Sequence, residues 1–260
     1  MELRALGATS ACGLALAAVL LLAPWSERMP SARGRIQIDL PPLMLWAWDR
    51  NDDLRFLDTG DTGVAFLAAT VTLRGDGIVF EPRHNPVMTP ERARRAAVVH
   101  VETDRAAPPT LSQDQLRRFV EALAIVGNEV PHRVLQIDFE ALTSQRAFLI
   151  DAIAALRERL PGAAISVTAL ASWCFNENWT GQLAADEVVP MLFRMGYDGR
   201  RIRAQLENGG DFRSESCRSS LGIATNELPA VLPPGRRIYV FNPGRWSAET
   251  YNLVRARIFR

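Results

Sequence analysis

VLQIDFE, residues 134–140, is the stretch on which the reading of the fold turns. Leu135, Ile137 and Phe139 alternate with Gln136, Asp138 and Glu140, the period of two that sends neighbouring side chains of a β-strand to opposite faces. Working outward, short apolar runs, often β-branched, recur eight times after residue 40. They are LMLWAW (43–48), VAFLAATV (64–71), AVVHVE (97–102), VLQIDFE itself, ISVTALA (165–171), VVPMLF (188–193), SLGIAT (220–225) and IYVFNP (238–243). Helical patterns lie between several of them: 112–126 opened by Ser112 as cap, 144–160 stopped by Pro161-Gly162, and 248–258. Strands alternating with helices imply a parallel sheet, and eight strands in ~220 residues imply an α/β protein with a single (β/α)8 TIM-like barrel over 41–260. A doubly wound open sheet is the alternative, but no G-x-G-x-x-G follows the first run. TLRGDGIVFEPR (72–83) reads as a hairpin extension of the second unit, which makes Asp76 a turn residue.

The chain has 260 residues, 48% apolar and 23% charged, enough for one domain with a sizeable core. Thirty basic residues against 29 acidic leave a net charge of +1, so no general field draws in nucleic acid, and no nucleic-acid partner is expected. All the basic residues are Arg, which removes the P-loop lysine and Schiff-base chemistry together.

Residues 5–25 carry no charge, and LALAAVLLLA (14–23) lies between Arg4 and the polar stretch SERMPSARGR. Residues 1–30 therefore read as a signal peptide or single membrane anchor with a short linker, and the barrel as exported, either periplasmic or anchored to the inner membrane facing the periplasm. Cys12 belongs to that segment. Cys174 and Cys217 remain in the body, either as a disulfide or as two separately buried thiols. His84, His100 and His132 are scattered without zinc-ligand spacing, so no metal site is expected.

In such a barrel, chemistry collects where strands end. The apolar set of VLQIDFE suits packing against helices, which turns Gln136, Asp138 and Glu140 to the interior. Two carboxylates ~7 Å apart there raise at least one pKa and suit it to general-acid work. The competing reading is a structural pair neutralised by Arg194 at the end of the sixth run. Other strand ends supply candidate substrate-binding residues: Trp48 and Asp49, Glu102, Trp173, Arg194, and Asn242 with Trp246. Trp46, Trp48, Trp173, Trp179 and Trp246 all fall in or beside strand ends, where indole faces would stack on sugar rings.

VLQIDFEA, the helix containing RAFLIDAIAALRERLP, ISVTALASWC and EVVPMLFRMGYDG together resemble an uncharacterised bacterial family of glycoside-hydrolase-like TIM barrels, over most of the chain after Leu43. More distantly, the Asp-x-Glu of Asp138 and Glu140 is similar to the fourth strand of chitinase-like enzymes. That resemblance implies that Glu140 protonates the leaving oxygen while Asp138 positions the substrate's own acetamido group. The sequence departs from that pattern at Phe193, where a Met-x-Tyr is expected after Met191, with Tyr197 four residues on. The expectation is a glycosidase acting on a cell-envelope or extracellular polysaccharide without a cofactor. The rival is a binding or scaffold barrel of the envelope that takes a polysaccharide or oligosaccharide ligand without turnover.

Overall fold

A computed structural model describes residues 36–130 and 133–259, and in it the eight runs form eight strands of one barrel. These are β1 (Leu43–Ala47), β2 (Thr62–Arg74), β3 (Arg95–Thr103), β4 (Val134–Asp138), β5 (Ala164–Leu170), β6 (Glu187–Met191), β7 (Ser220–Ala224) and β8 (Arg237–Phe241). Each pairs in parallel with the next. β1 then pairs with both β8 (Leu43 opposite Ile238) and β2 (Leu43 opposite Thr62), so the sheet closes and the open-sheet alternative is excluded.

Helices α1 (Gln113–Glu129), α2 (Arg146–Arg159), α3 (Ala171–Phe175), α4 (Gly199–Glu207) and α5 (Ala248–Ile258) follow β3, β4, β5, β6 and β8. Ser112 caps α1 by accepting a hydrogen bond from the Gln115 amide, and Ser247 caps α5 from Thr250. β2 runs longer than its apolar pattern because it continues into the hairpin: it pairs antiparallel with Gly77–Pro82 across a two-residue turn in which Gly75 adopts φ 49°.

Alternation sorts the side chains into two layers. Leu135, Ile137, Val99, Ile165, Val167, Ile223 and Val240 face outward, packed with Phe119, Leu123, Leu149, Ile153 and Leu156 of α1 and α2. Met44, Trp46, Ala65, Val98, Val134, Val189, Met191, Tyr239 and Phe241 fill the barrel. Trp46 lies across this interior over Gly222, where a Cβ would come within 2.7 Å of the indole.

The end of the barrel at the strand N-termini is closed by residues 36–41. Ile36, Ile38 and Leu40 pack against the inner cluster. The guanidinium of Arg237 collects the carbonyls of Ile38, Leu40 and Pro41, and the Ile36 amide donates to Asp186. Residues 1–35, including the apolar segment on which the export reading rests, lie outside the described residues. Among the described residues no helix is long and apolar enough to cross a membrane.

Candidate active site

The register of β3 against β4 sets His100 beside Asp138, and β5 brings Thr168 to the other side. Asp138 is buried and both its oxygens are occupied: Oδ2 lies 2.8 Å from His100 Nδ1, and Oδ1 accepts from the Thr168 hydroxyl at 2.5 Å. On the other edge of the imidazole, Nε2 stands 3.4 Å from Glu102 Oε1. Burial disfavours the charged ring, but the hydrogen bond and charge of Asp138, with the charge of Glu102, outweigh it and hold the His100 pKa above its ordinary value.

Glu140 follows β4 with no hydrogen bond or ion pair to another described residue. Phe139 before it is buried in the outer layer, which leaves Glu140 on the mouth side. Glu140 is exposed to solvent at the rim, yet the protein packed around its carboxyl, reinforced by the charge of Asp138, raises its pKa against the opposing charges of His100 and Arg194. Arg194 does not form the neutralising ion pair of the structural reading. Its guanidinium lies 5.3 Å over the Phe241 ring and its backbone amide donates to Glu227.

An aromatic lining surrounds these groups. Trp48 meets His100 edge-on at 5.5 Å and Phe241 at 6.4 Å, and Phe193 stacks on Phe241 at 5.6 Å with its edge to Trp46. Phe193 thus occupies the place of the expected tyrosine without offering a hydroxyl, and Tyr197 cannot replace it because it is fully exposed.

Beneath the mouth a chain of hydrogen bonds crosses the interior. Trp46 Nε1 donates to Gln136 Oε1 (2.7 Å), Gln136 Nε2 donates to Ser166 Oγ (3.0 Å), and Ser166 Oγ donates to Glu187 Oε2 (2.8 Å). The same Glu187 oxygen accepts from Tyr239 (2.7 Å), and Oε1 pairs with Arg237. Every buried polar group of this layer has a partner, as a low-dielectric interior requires.

Several sequence candidates do not line the mouth. Trp173 is buried against Trp179 in the outer layer, and Trp246 is buried with its Nε1 donating to the Trp46 carbonyl, so neither presents a ring face to a sugar. Asn242 is buried, its amide spent on Thr225 and the Arg245 carbonyl. Asp49 is turned to the 84–85 loop. Burial would raise its pKa, but hydrogen bonds from Asn85 and His84 and the charge of Arg83 prevail and lower it. Glu102 and Trp48 do stand with His100. Cys174 and Cys217 are joined by a disulfide with a Cα separation of 5.9 Å, linking α3 to the turn before β7.

His100 and Thr168 are site residues that sequence reasoning missed. The scattered histidines lack zinc-ligand spacing, and the informative spacing is that of a strand: His100 and Glu102 in AVVHVE repeat the i, i+2 placement of Asp138 and Glu140 on the adjacent strand. Among the described residues no group of three or more His, Cys, Asp or Glu side chains is arranged to hold a metal ion.

No family model and no curated protein matches the sequence, so nothing beyond the quoted motifs supports the uncharacterised bacterial family. Among solved structures, the chain is similar to the crystal structure of a "putative Chitinase A" from Streptomyces coelicolor, with 12% identity over 83% of this chain and 94% of that one, and a TM-score of 0.51. At that identity the likeness is one of fold. What the two proteins share is the closed eight-stranded parallel (β/α)8 barrel.

Proposed function

We propose that the protein is an exported glycoside hydrolase of a cell-envelope or extracellular polysaccharide, with Glu140 as the proton donor. The observation that carries this reading is the state of Glu140: an uncommitted carboxyl at the barrel mouth, two residues beyond a buried carboxylate, with its pKa raised by its surroundings. Glu140 passes its proton to the glycosidic oxygen as the bond to the anomeric carbon breaks. The Asp138 carboxylate lies where positive charge develops on the sugar, water adds to the anomeric carbon, and the proton that water sheds restores Glu140. Trp48 supplies the stacking face. The neighbour's name points to chitin as the first polymer to try, although Phe193 in place of a tyrosine speaks against an acetamido-assisted route.

A second reading, a non-catalytic polysaccharide-binding barrel, draws on one observation: both Asp138 oxygens are already engaged by His100 and Thr168. Incubation with chitin and a panel of envelope polysaccharides, followed by reducing-end release, separates the two. The expected result is hydrolysis that falls at least ~100-fold in Glu140→Gln, with binding retained. Polymers that are bound but never cut by the unmodified protein, or full activity in the Gln variant, overturn the catalytic reading.

A further inference from the structure

Asp138 and Glu140 account for the carboxyl chemistry of the mouth, but His100 is left with no part in it, although it contacts Asp138 directly and its charge is felt by Glu140. Its ring is held on three sides. Asp138 takes Nδ1, Glu102 faces Nε2, and the edge of the ring meets Trp48. A ring with a carboxylate at each nitrogen is built to stay an imidazolium, since only that form donates from both. The titratable and charged groups around it are Asp138 on β4 and Glu102 on its own strand, with Glu140 beyond Asp138 and Arg194 at the end of β6.

We propose that His100 is a positioning residue for the reaction assigned to this mouth: it fixes the Asp138 carboxylate against Thr168 and supplies the positive charge against which Glu140 gains and loses its proton. The proposal rests on the reading of Glu140 as proton donor and adds to it a control on the pH range in which that donor is loaded. Two features favour a control over simple packing. Thr168 already satisfies one Asp138 oxygen with a neutral donor, so a second neutral donor would have completed the shell; the residue present is instead the one that titrates near neutrality. His100 and Arg194 are also the cations that oppose the upward pressure on Glu140, and Arg194 is placed by its stacking on Phe241 rather than by contact with a carboxylate of the pair.

The experiment is a set of NMR titrations on the full chain, following the imidazole of His100 and the side-chain carboxyl of Glu140, with pH profiles of polysaccharide cleavage beside them. In the unmodified protein His100 should titrate above the ordinary ~6.5 of a free imidazole. In Asp138→Asn its midpoint should fall. In His100→Gln the Glu140 midpoint should rise by about half a pH unit or more, less than the 1–3 units of a directly paired charge because His100 contacts Asp138 instead. The basic limb of kcat/KM should rise with it. His100→Gln should also raise KM, because Asp138 loses the donor that fixes it. In His100→Asn the amide nitrogen stands near the place of Nδ1 and keeps a neutral donor on Asp138, so KM should return toward that of the unmodified protein while the Glu140 midpoint stays high. A His100 midpoint at or below the ordinary value, or a Glu140 midpoint unmoved in a folded His100→Gln, overturns the proposal. Should the variants not fold, the His100 midpoint of the unmodified protein decides alone. If no polysaccharide is cut, the catalytic reading falls, and the titrations still decide whether His100 sets the Glu140 proton.

Discussion

Replacing Glu187 by alanine tests whether the interior hydrogen-bond chain stabilises the barrel or merely occupies it. The Glu187 side chain is 2% exposed and serves three donors: Ser166 and Tyr239, both buried, and the guanidinium of Arg237. Removing one partner of a buried ion pair costs about 3–5 kcal/mol. Each hydroxyl left without an acceptor adds about 1–3 kcal/mol if it stays dry. Two effects reduce the sum. Arg237 keeps the carbonyls of Ile38, Leu40 and Pro41, and the vacated space is polar enough to admit a water. The expected loss is therefore about 4–6 kcal/mol, a large part of the ~5–15 kcal/mol that holds a typical domain folded. In urea, with a slope near the upper end of ~1–3 kcal/mol/M, the midpoint should drop by roughly 1.5–2 M. Glu187→Gln keeps the volume and one acceptor oxygen and should lose about half as much, whereas Glu207→Ala on the exposed face of α4 should stay within about 0.5 kcal/mol. A midpoint for Glu187→Ala within ~0.3 M of the unmodified protein would refute the reasoning, because it would mean that the three donors find equal partners without the carboxylate.

Two further outcomes are expected. The disulfide closes a loop with a sequence separation of 43, and constraint of the unfolded chain by a loop of that size is worth about 4 kcal/mol; Cys174→Ala with Cys217→Ala should lower the unfolding free energy by about that amount in urea, and a loss under ~1 kcal/mol would remove the loop-closure account. Deleting residues up to 40, compared with deleting up to 35, should lower the thermal midpoint by several degrees, because Ile36, Ile38 and Leu40 leave the inner cluster and Arg237 loses carbonyl partners; equal midpoints by calorimetry would show that the floor contributes nothing.

The barrel was legible because its strands are short apolar runs at regular spacing and because VLQIDFE alternates cleanly. The 72–83 hairpin was legible for a local reason too, since Gly75-Asp76 makes the two-residue turn between Arg74 and Gly77. What could not be read depends on pairings between distant residues. The partnership of His100 with Asp138 is a matter of inter-strand register across 38 residues, and that of Glu187 with Tyr239 and Arg237 spans more than 50 or reaches it. The indoles misled for a related reason. A Trp at a strand end can stand at the mouth, reach into the barrel interior or lie buried under a loop, and Trp48, Trp46 and Trp246 take one course each. Nothing local to the sequence distinguishes them. The loops that replace helices after β1, β2 and β7 lay equally beyond a count of strands.

The closed floor has a practical meaning for anyone who wishes to hold this molecule by one end. The chain enters the described barrel at Ile36, beneath the strands, and α5 runs back toward the same pole, where Arg255 pairs with Asp58 and Asp61 just ahead of β2. Both handles therefore emerge on the side away from His100 and Glu140. A sensor chip, bead or fusion partner joined directly ahead of Ile36 or after Phe259 would sit behind the barrel, leaving the opposite face open for a long polymer to pass across it.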